Sequence, residues 1–278
     1  MPTTMAIANG IRQCYEITGT RGPWITLVHG SGDNHEAWWL QSPALATRFR
    51  VLTYDVRGHG ETETPADQPI DQTTFVADLL GLLDTLKIRK TAVIGYSMGG
   101  GIARNFAATH PDRVWGLVLS NGGKLDPPAD PSHAAERAKM REDRVAGIRE
   151  GGMDWVFDGW LTNVYTPEFV EARPDIVAEH RRIMTTNDPN KYAQTMSGAM
   201  SPSQVDLKNI SSPTLIIVGA GDEYTGPDAA RELAAALPRK ANAEVNVFPT
   251  RHGSPFERHE EYNRTLREFL ETNRPRRA

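Results

Sequence analysis

Apolar positions along the chain form two kinds of pattern that take turns. Short β-branched runs occupy 24–28, 51–54, 91–95, 114–119 and 214–218, with a weaker one at 243–248. They lack strict polar alternation, as expected of central parallel strands covered on both faces. Between them lie longer stretches with helical spacing. Segment 72–86 sets Phe75, Leu79, Leu82, Leu83 and Leu86 on one stripe, and 99–109, 227–237 and 260–270 read similarly. Strands alternating with helices predict βαβ units and an α/β fold with a mostly parallel sheet.

The alternation breaks between 124 and 207, where no convincing strand is found. Pro127-Pro128 opens this region and Ser211-Ser212-Pro213 follows it. A helical charge pattern runs over 134–150, followed by Trp155, Phe157, Trp160, Tyr165 and Phe169. The reading is an inserted helical cap, 124–207, lying over the edge of a core built from 1–123 and 208–278. There is no internal repeat and no low-complexity tract.

Composition narrows the function classes. The 278 residues are 39% hydrophobic and 24% charged, ordinary globular values that exclude a disordered chain. With a net charge of −4 and scattered Lys and Arg, no nucleic-acid-binding stripe is present. The densest basic run, Arg274-Pro275-Arg276-Arg277, reads as a solvated tail. The one cysteine, Cys14, cannot form an internal disulfide, and its alternating stretch 11–17 marks it as a packed core residue. The N-terminus has no basic, apolar leader, and no run reaches the roughly 18 apolar residues of a membrane span. A cytoplasmic, soluble protein with no membrane partner is expected; a homo-oligomer is left open.

The chemistry concentrates in Gly95-Tyr96-Ser97-Met98-Gly99, which follows the strand at 91–94 and precedes a small-residue helix. A serine on such a strand-to-helix turn presents its hydroxyl outward, because small neighbours relieve crowding. A serine hydroxyl needs a base, and the base needs an orienting acid. His252, one of eight histidines, follows the last strand in a loop leading to the final helix. Asp222 stands just beyond the strand at 214–218, where open α/β sheets place functional residues. Asp is also a common turn residue there, Glu223 competes with it, and Asp126 is the reserve. After 114–119 the chain holds Ser120-Asn121 rather than an acid, which favours Asp222. The glycine-flanked turn Val28-His29-Gly30-Ser31-Gly32 can aim the Ser31 amide at the site, making a two-donor oxyanion hole with the Met98 amide. Pocket-wall candidates are Trp38, Trp155, Phe157, Trp160 and Met184, and cap core is the other reading of each. Arg181, Arg182 and Lys191 are the cations considered for an anionic substrate. In Asp55-Val56-Arg57-Gly58-His59-Gly60, Arg57 and Asp55 are read as ties between loops. A metal site is the rival there, but no second ligand cluster has suitable spacing, so neither metal nor cofactor is expected.

Taken together, His29-Gly30-Ser31-Gly32, Asp55-Val56-Arg57-Gly58-His59-Gly60, Gly95-Tyr96-Ser97-Met98-Gly99-Gly100, Gly219-Ala220-Gly221-Asp222 and Arg251-His252-Gly253 resemble the α/β-hydrolase family. The resemblance implies an eight-stranded, mostly parallel sheet flanked by helices, with a helical cap after the sixth strand. Within the family the chain is similar to 3-oxoadipate enol-lactonases and related small-ester hydrolases. That implies a small ester or lactone as substrate, with Ser97, His252 and Asp222 as a catalytic triad. Cofactor-free C–C bond hydrolases and perhydrolases share the triad and stay open as alternatives. A non-catalytic ligand sensor on the same scaffold is a third class.

Overall fold

The computed structural model describes residues 3–68, 70–125, 134–198 and 205–275; Asp126 and Pro127-Pro128 lie outside the described residues. Its strands are β1 (Thr4–Ala8), β2 (Ile11–Thr18), β3 (Trp24–Val28), β4 (Arg50–Tyr54), β5 (Thr91–Tyr96), β6 (Val114–Ser120), β7 (Thr214–Gly219) and β8 (Glu244–Phe248). They form one 8-stranded sheet in the order β1-β2-β4-β3-β5-β6-β7-β8. β2 is antiparallel to both β1 and β4, and every other pairing is parallel. The six strands anticipated from apolar runs are all present.

The two outer N-terminal strands were not all legible. β2 matches the alternating stretch around Cys14, but β1 is a short edge strand with mostly partial burial, a weak pattern in sequence. The hairpin between them is made by Asn9 (φ 48°) and Gly10 (φ 76°), the left-handed pair that two-residue hairpin turns favour.

Alternate residues of the central strands feed opposite layers. Val28, Val93, Leu117 and Val218 pack toward Phe75 and Leu79 of α2 (Gln72–Thr85) and Phe106 of α3 (Met98–Thr109). Leu27, Ile94, Val118 and Ile217 pack toward Leu45 of α1 (Ser42–Ala46) and Leu266 and Leu270 at the chain's end. α2 begins where Asp71 caps it, its Oδ1 accepting from Thr74 N at 2.7 Å.

Between β6 and β7 run the cap helices α4 (Ala134–Val164), α5 (Pro167–Ala172), α6 (Pro174–Thr185) and α7 (Pro189–Gly198). α4 is two helical runs broken at Gly152, whose φ of 66° and ψ of −165° no helix contains. The remaining helices are α8 (Pro227–Ala236), α9 (Ser254–Glu257) and α10 (His259–Asn273). Among the described residues no helix is long and apolar enough to cross a membrane.

The loops leaving β3 and β4 are tied by buried polar groups. Arg57 forks onto Asp78 of α2 at 2.8 and 2.7 Å, with both side chains at most 3% exposed, as the reading of Arg57 as a tie anticipated. Asn9 Nδ2 donates to the same carboxylate at 2.7 Å. Two fully buried imidazoles, His29 and His59, meet edge to face at 5.0 Å. His29 Nε2 accepts from Val56 N at 2.9 Å and His59 Nε2 accepts from Gly32 N at 3.1 Å, so each ring is neutral with its Nδ1 protonated. Burial pushes both rings below the ordinary histidine range, His59 to about 3 with His29 adding to the effect.

Two predictions follow from these ties. Asp78→Ala leaves the Arg57 guanidinium buried without its counter-charge, and urea unfolding should show a loss on the order of 3–5 kcal/mol. The histidines set a pH dependence: the unfolded rings protonate near pH 6.5, the folded ones at lower pH, so the unfolded chain takes up protons first. Their contribution to stability is complete above about pH 6.5 and declines as pH falls toward 3. Urea midpoints should drop over that window, and the slope should flatten by up to about one proton in His59→Gln.

Candidate active site

Ser97 sits between β5 and α3 with φ 53° and ψ −115°, a conformation L side chains rarely hold. The turn is this sharp because its neighbours carry no side chains. A Cβ on Gly95 would overlap the Gly99 carbonyl, one on Gly99 would overlap that of Val28, and one on Gly122 would overlap that of Ser97. Ser97 N donates to Ser120 O of β6 at 2.9 Å, which locks the turn from the other side.

Three chain segments converge on this hydroxyl. His252 Nε2 lies 2.9 Å from Ser97 Oγ, and His252 Nδ1 lies 2.9 Å from Asp222 Oδ2. His252 and Asp222 are buried. The histidine loop is set by the cap: His252 N donates to Asn163 O at 3.2 Å and Gly253 N to Val164 O at 2.7 Å. Asp222 Oδ1 accepts from the amides of Tyr224 and Thr225 at 2.9 and 3.0 Å. Its Oδ2 also accepts from Asn121 Nδ2 at 3.0 Å. Burial alone would raise this carboxyl, but the hydrogen bonds from His252, Asn121 and Thr225 outweigh it and hold Asp222 below the ordinary aspartate range. An ionised, immobile carboxylate on Nδ1 leaves Nε2 free to take a proton from the serine. Tyr224 lies across this row, its ring edge-on to His252 at 5.2 Å and its hydroxyl accepting from Asn163 Nδ2 at 3.0 Å.

Asn121 went unrecognised in the sequence, although it occupies the position after β6 where an acid had been sought. It serves the acid from there.

Ser31 lies on the loop after β3. Its hydroxyl is engaged with Tyr192 Oη at 2.9 Å, and no protein acceptor is found for its N–H among the described residues. Met98 opens α3, where the first helical N–H groups have no partner within the helix.

The pocket-wall candidates divide. Phe157, Trp160 and Met184 line one small space within the cap itself, together with His180. Met184 and Met153 reach over Gly32 beside Tyr192; of these only Met184 had been singled out. Trp155 does not line that space: it is 47% exposed and lies back across the Gly152 break over Gly147 and Gly151 of the preceding helical run, where the missing side chains make room. Trp38 packs instead in the core layer with Leu45 and Phe49, 2% exposed, because its short 3-10 turn faces the sheet.

The cations also sort differently from expectation. Arg181 pairs with Asp154 and Asp158, and Arg182 with Glu179 and Glu36, all on the surface. Lys191 Nζ reaches Thr62 O at 3.4 Å. Arg144, not considered from sequence, turns inward: its Nε is buried without a hydrogen-bond partner. Its guanidinium lies 5.5 Å from the Trp160 ring and faces the Tyr192 hydroxyl. Nothing in the charged run 134–150 distinguishes it from its neighbours.

One further cluster went unforeseen. Cys14, His35 and Asp55 each offer a ligand atom within 4.8 Å of the others. Asp55 already accepts from His35 N at 2.8 Å, His35 Nδ1 at 2.6 Å and Glu61 N at 2.8 Å. These contacts make the cluster a hydrogen-bonded knot between loops, and burial, reinforced by the Asp55 charge, pushes the Cys14 thiol up.

Comparison with known proteins agrees with this fold. Residues 23–146 match the family model described as alpha/beta hydrolase fold. A curated relative, the 2-hydroxy-6-oxononadienedioate/2-hydroxy-6-oxononatrienedioate hydrolase of Paraburkholderia xenovorans (strain LB400), is 28% identical over 92% of this chain and 89% of its own. Among solved structures, the enol-lactonase from Burkholderia xenovorans LB400 is 32% identical, superposes with a TM-score of 0.84 and is covered over 96% of this chain and 100% of its own. A thermophilic esterase from Thermogutta terrifontis, solved with malate bound, is 26% identical with a TM-score of 0.86, covering 99% and 100%. With its eight-stranded sheet, its serine turn and a structural relative matched along its full length, the chain belongs to the α/β-hydrolase family and is a hydrolase of that fold.

Proposed function

We propose that the chain hydrolyses a small carboxylic ester or lactone through an acyl-enzyme on Ser97. The observation that carries this reading is the unbroken row Asp222–His252–Ser97, with 2.9 Å at each link. His252 takes the hydroxyl proton as Ser97 Oγ attacks the carbonyl carbon. The Ser31 and Met98 amides receive the negative charge that develops on the carbonyl oxygen. The imidazolium returns its proton to the departing alcohol or enol oxygen. Water, deprotonated by the same ring, then releases the acid and restores Ser97.

Arg144 gives the substrate a charge. A guanidinium with a buried, unpartnered Nε beside Tyr192 suits a carboxylate on the substrate distal to the scissile bond. The dioate named for the Paraburkholderia hydrolase and the malate held by the Thermogutta esterase are carboxylates too. The former relative also favours a second reading, in which the same serine cleaves a C–C bond of a diketone acid.

Turnover of short-chain p-nitrophenyl esters and lactones by wild type and Ser97→Ala tests the first reading. Activity should vanish in Ser97→Ala, and Asp222→Asn should fold normally while losing roughly four orders of magnitude in kcat. Equal rates in wild type and Ser97→Ala would remove the serine from the reaction and leave a binding role for the scaffold. A vinylogous diketone acid turned over faster than any ester would select the C–C reading. For Arg144→Gln, kcat/KM on a carboxylate-bearing ester should fall by roughly 10- to 150-fold, the worth of a charge-assisted hydrogen bond, with little change for the neutral isostere.

A further inference from the structure

The loop that carries Ser31 is gripped from both sides, and most of the grip comes from the cap. Gly32, in the left-handed region with φ 82°, has both peptide groups engaged. Its N–H donates to His59 Nε2 at 3.1 Å, and its carbonyl accepts from Asn187 Nδ2 at 2.8 Å. Asn187 follows α6 and is 3% exposed; its Oδ1 accepts from Gly60 N at 2.6 Å, so one amide joins the cap to the loops after β3 and β4. One residue further, Asp33 Oδ1 lies 2.7 Å from His180 Nε2, with both side chains 3% exposed. His180 belongs to α6, and its Nδ1 lies 2.7 Å from the Tyr165 hydroxyl.

Burial pushes the Tyr165 hydroxyl well up, so it keeps its proton. His180 thus bridges Tyr165 and Asp33 through its two ring nitrogens, one contact on each. Phe256 stacks on the imidazole at 4.3 Å and Tyr96 packs edge-on to Phe256 at 5.7 Å, closing the path back to the serine turn. A third tie, Asn34 Nδ2 to Thr186 Oγ1 at 3.0 Å, runs the same way.

We propose that Asn187 and His180 are positioning residues for the oxyanion hole: the cap acts on the chemical step by aiming the Ser31 amide, through Gly32 and Asp33, as well as by enclosing substrate. The inference rests on the ester-hydrolase reading. It differs from a purely structural role in what it does to the transition state. Loosening a donor by about 1 Å costs roughly a hundredfold in rate without weakening ground-state binding.

The test uses Asn187→Asp, which keeps size and the Gly60 contact but faces the Gly32 carbonyl with a second acceptor, and His180→Phe, which keeps the ring stack but loses both hydrogen bonds. Asp33→Asn, whose amide oxygen still accepts from His180, is the conservative control. Circular dichroism and thermal melting confirm that each variant folds. The expected result is a fall in kcat of roughly 10- to 100-fold for the first two, with KM within about threefold and Asp33→Asn near wild type. Affinity for a trifluoromethyl ketone, whose hemiketal oxyanion occupies the hole, should fall in parallel with kcat/KM, while affinity for the product acid stays constant. Folded variants with unchanged kcat would overturn the inference, as would a raised KM at constant kcat, which assigns these residues to substrate enclosure alone. Wild type without Ser97-dependent ester turnover would instead overturn the hydrolase reading, and this inference with it.

Discussion

The architecture turns on how closely three backbones approach one another at the Ser97 turn. Gly95, Gly99 and Gly122 stand where any side chain would strike a carbonyl of a neighbouring segment. A residue held at φ 53° costs on the order of 1–3 kcal/mol and persists only where its surroundings over-determine it. Here the surroundings are β3 and β6, the two sheet neighbours of β5. The same contacts that hold the serine therefore set where the Ser31 loop leaves β3 and where Asn121 leaves β6. Ser97, the Ser31 loop and Asn121 share one backbone reference.

Electrostatics follows burial. Surface pairs such as Arg182–Glu36 sit in high dielectric and contribute little. The paired charge of Arg57–Asp78 and the Asp222 carboxylate lie where water is excluded and each lone pair or proton needs a protein partner. Asp222 finds four donors and stays ionised. Arg144 is the contrasting case, a cation under the cap with donor capacity unspent.

The chain alone disclosed the parts of the fold and site that are encoded locally. Central strands show as apolar runs because both faces are buried, and the serine turn shows as glycines at fixed offsets because only glycine fits. Asp222 and His252 were found by position after strands, a rule of parallel sheets. What stayed hidden depends on orientation between distant segments. Trp38 and Trp155 are as aromatic as Trp160, yet one faces the sheet and one faces solvent. Arg144 resembles Arg141 and Arg149 in sequence, and only the packing of α4 against α7 turns it inward. Asn121 was visible as the place where an acid was missing, but its service to Asp222 spans 101 residues. β1 escaped because an edge strand buries too little to leave a pattern.

The order of the site along the chain has a consequence for biosynthesis. Ser97 and its turn belong to the first half, whereas its hydrogen-bond partner His252 comes 155 residues later. At about 5–20 residues per second, a ribosome takes roughly 8–30 s to cross that interval. Once β6 has emerged, β3, β5 and β6 can pair while the hydroxyl still lacks its imidazole partner. His252 arrives on the loop after β8, the last strand and the sheet's edge. A nascent or prematurely terminated chain therefore lacks the Ser97–His252 contact, which forms only once the segment after the final strand has docked.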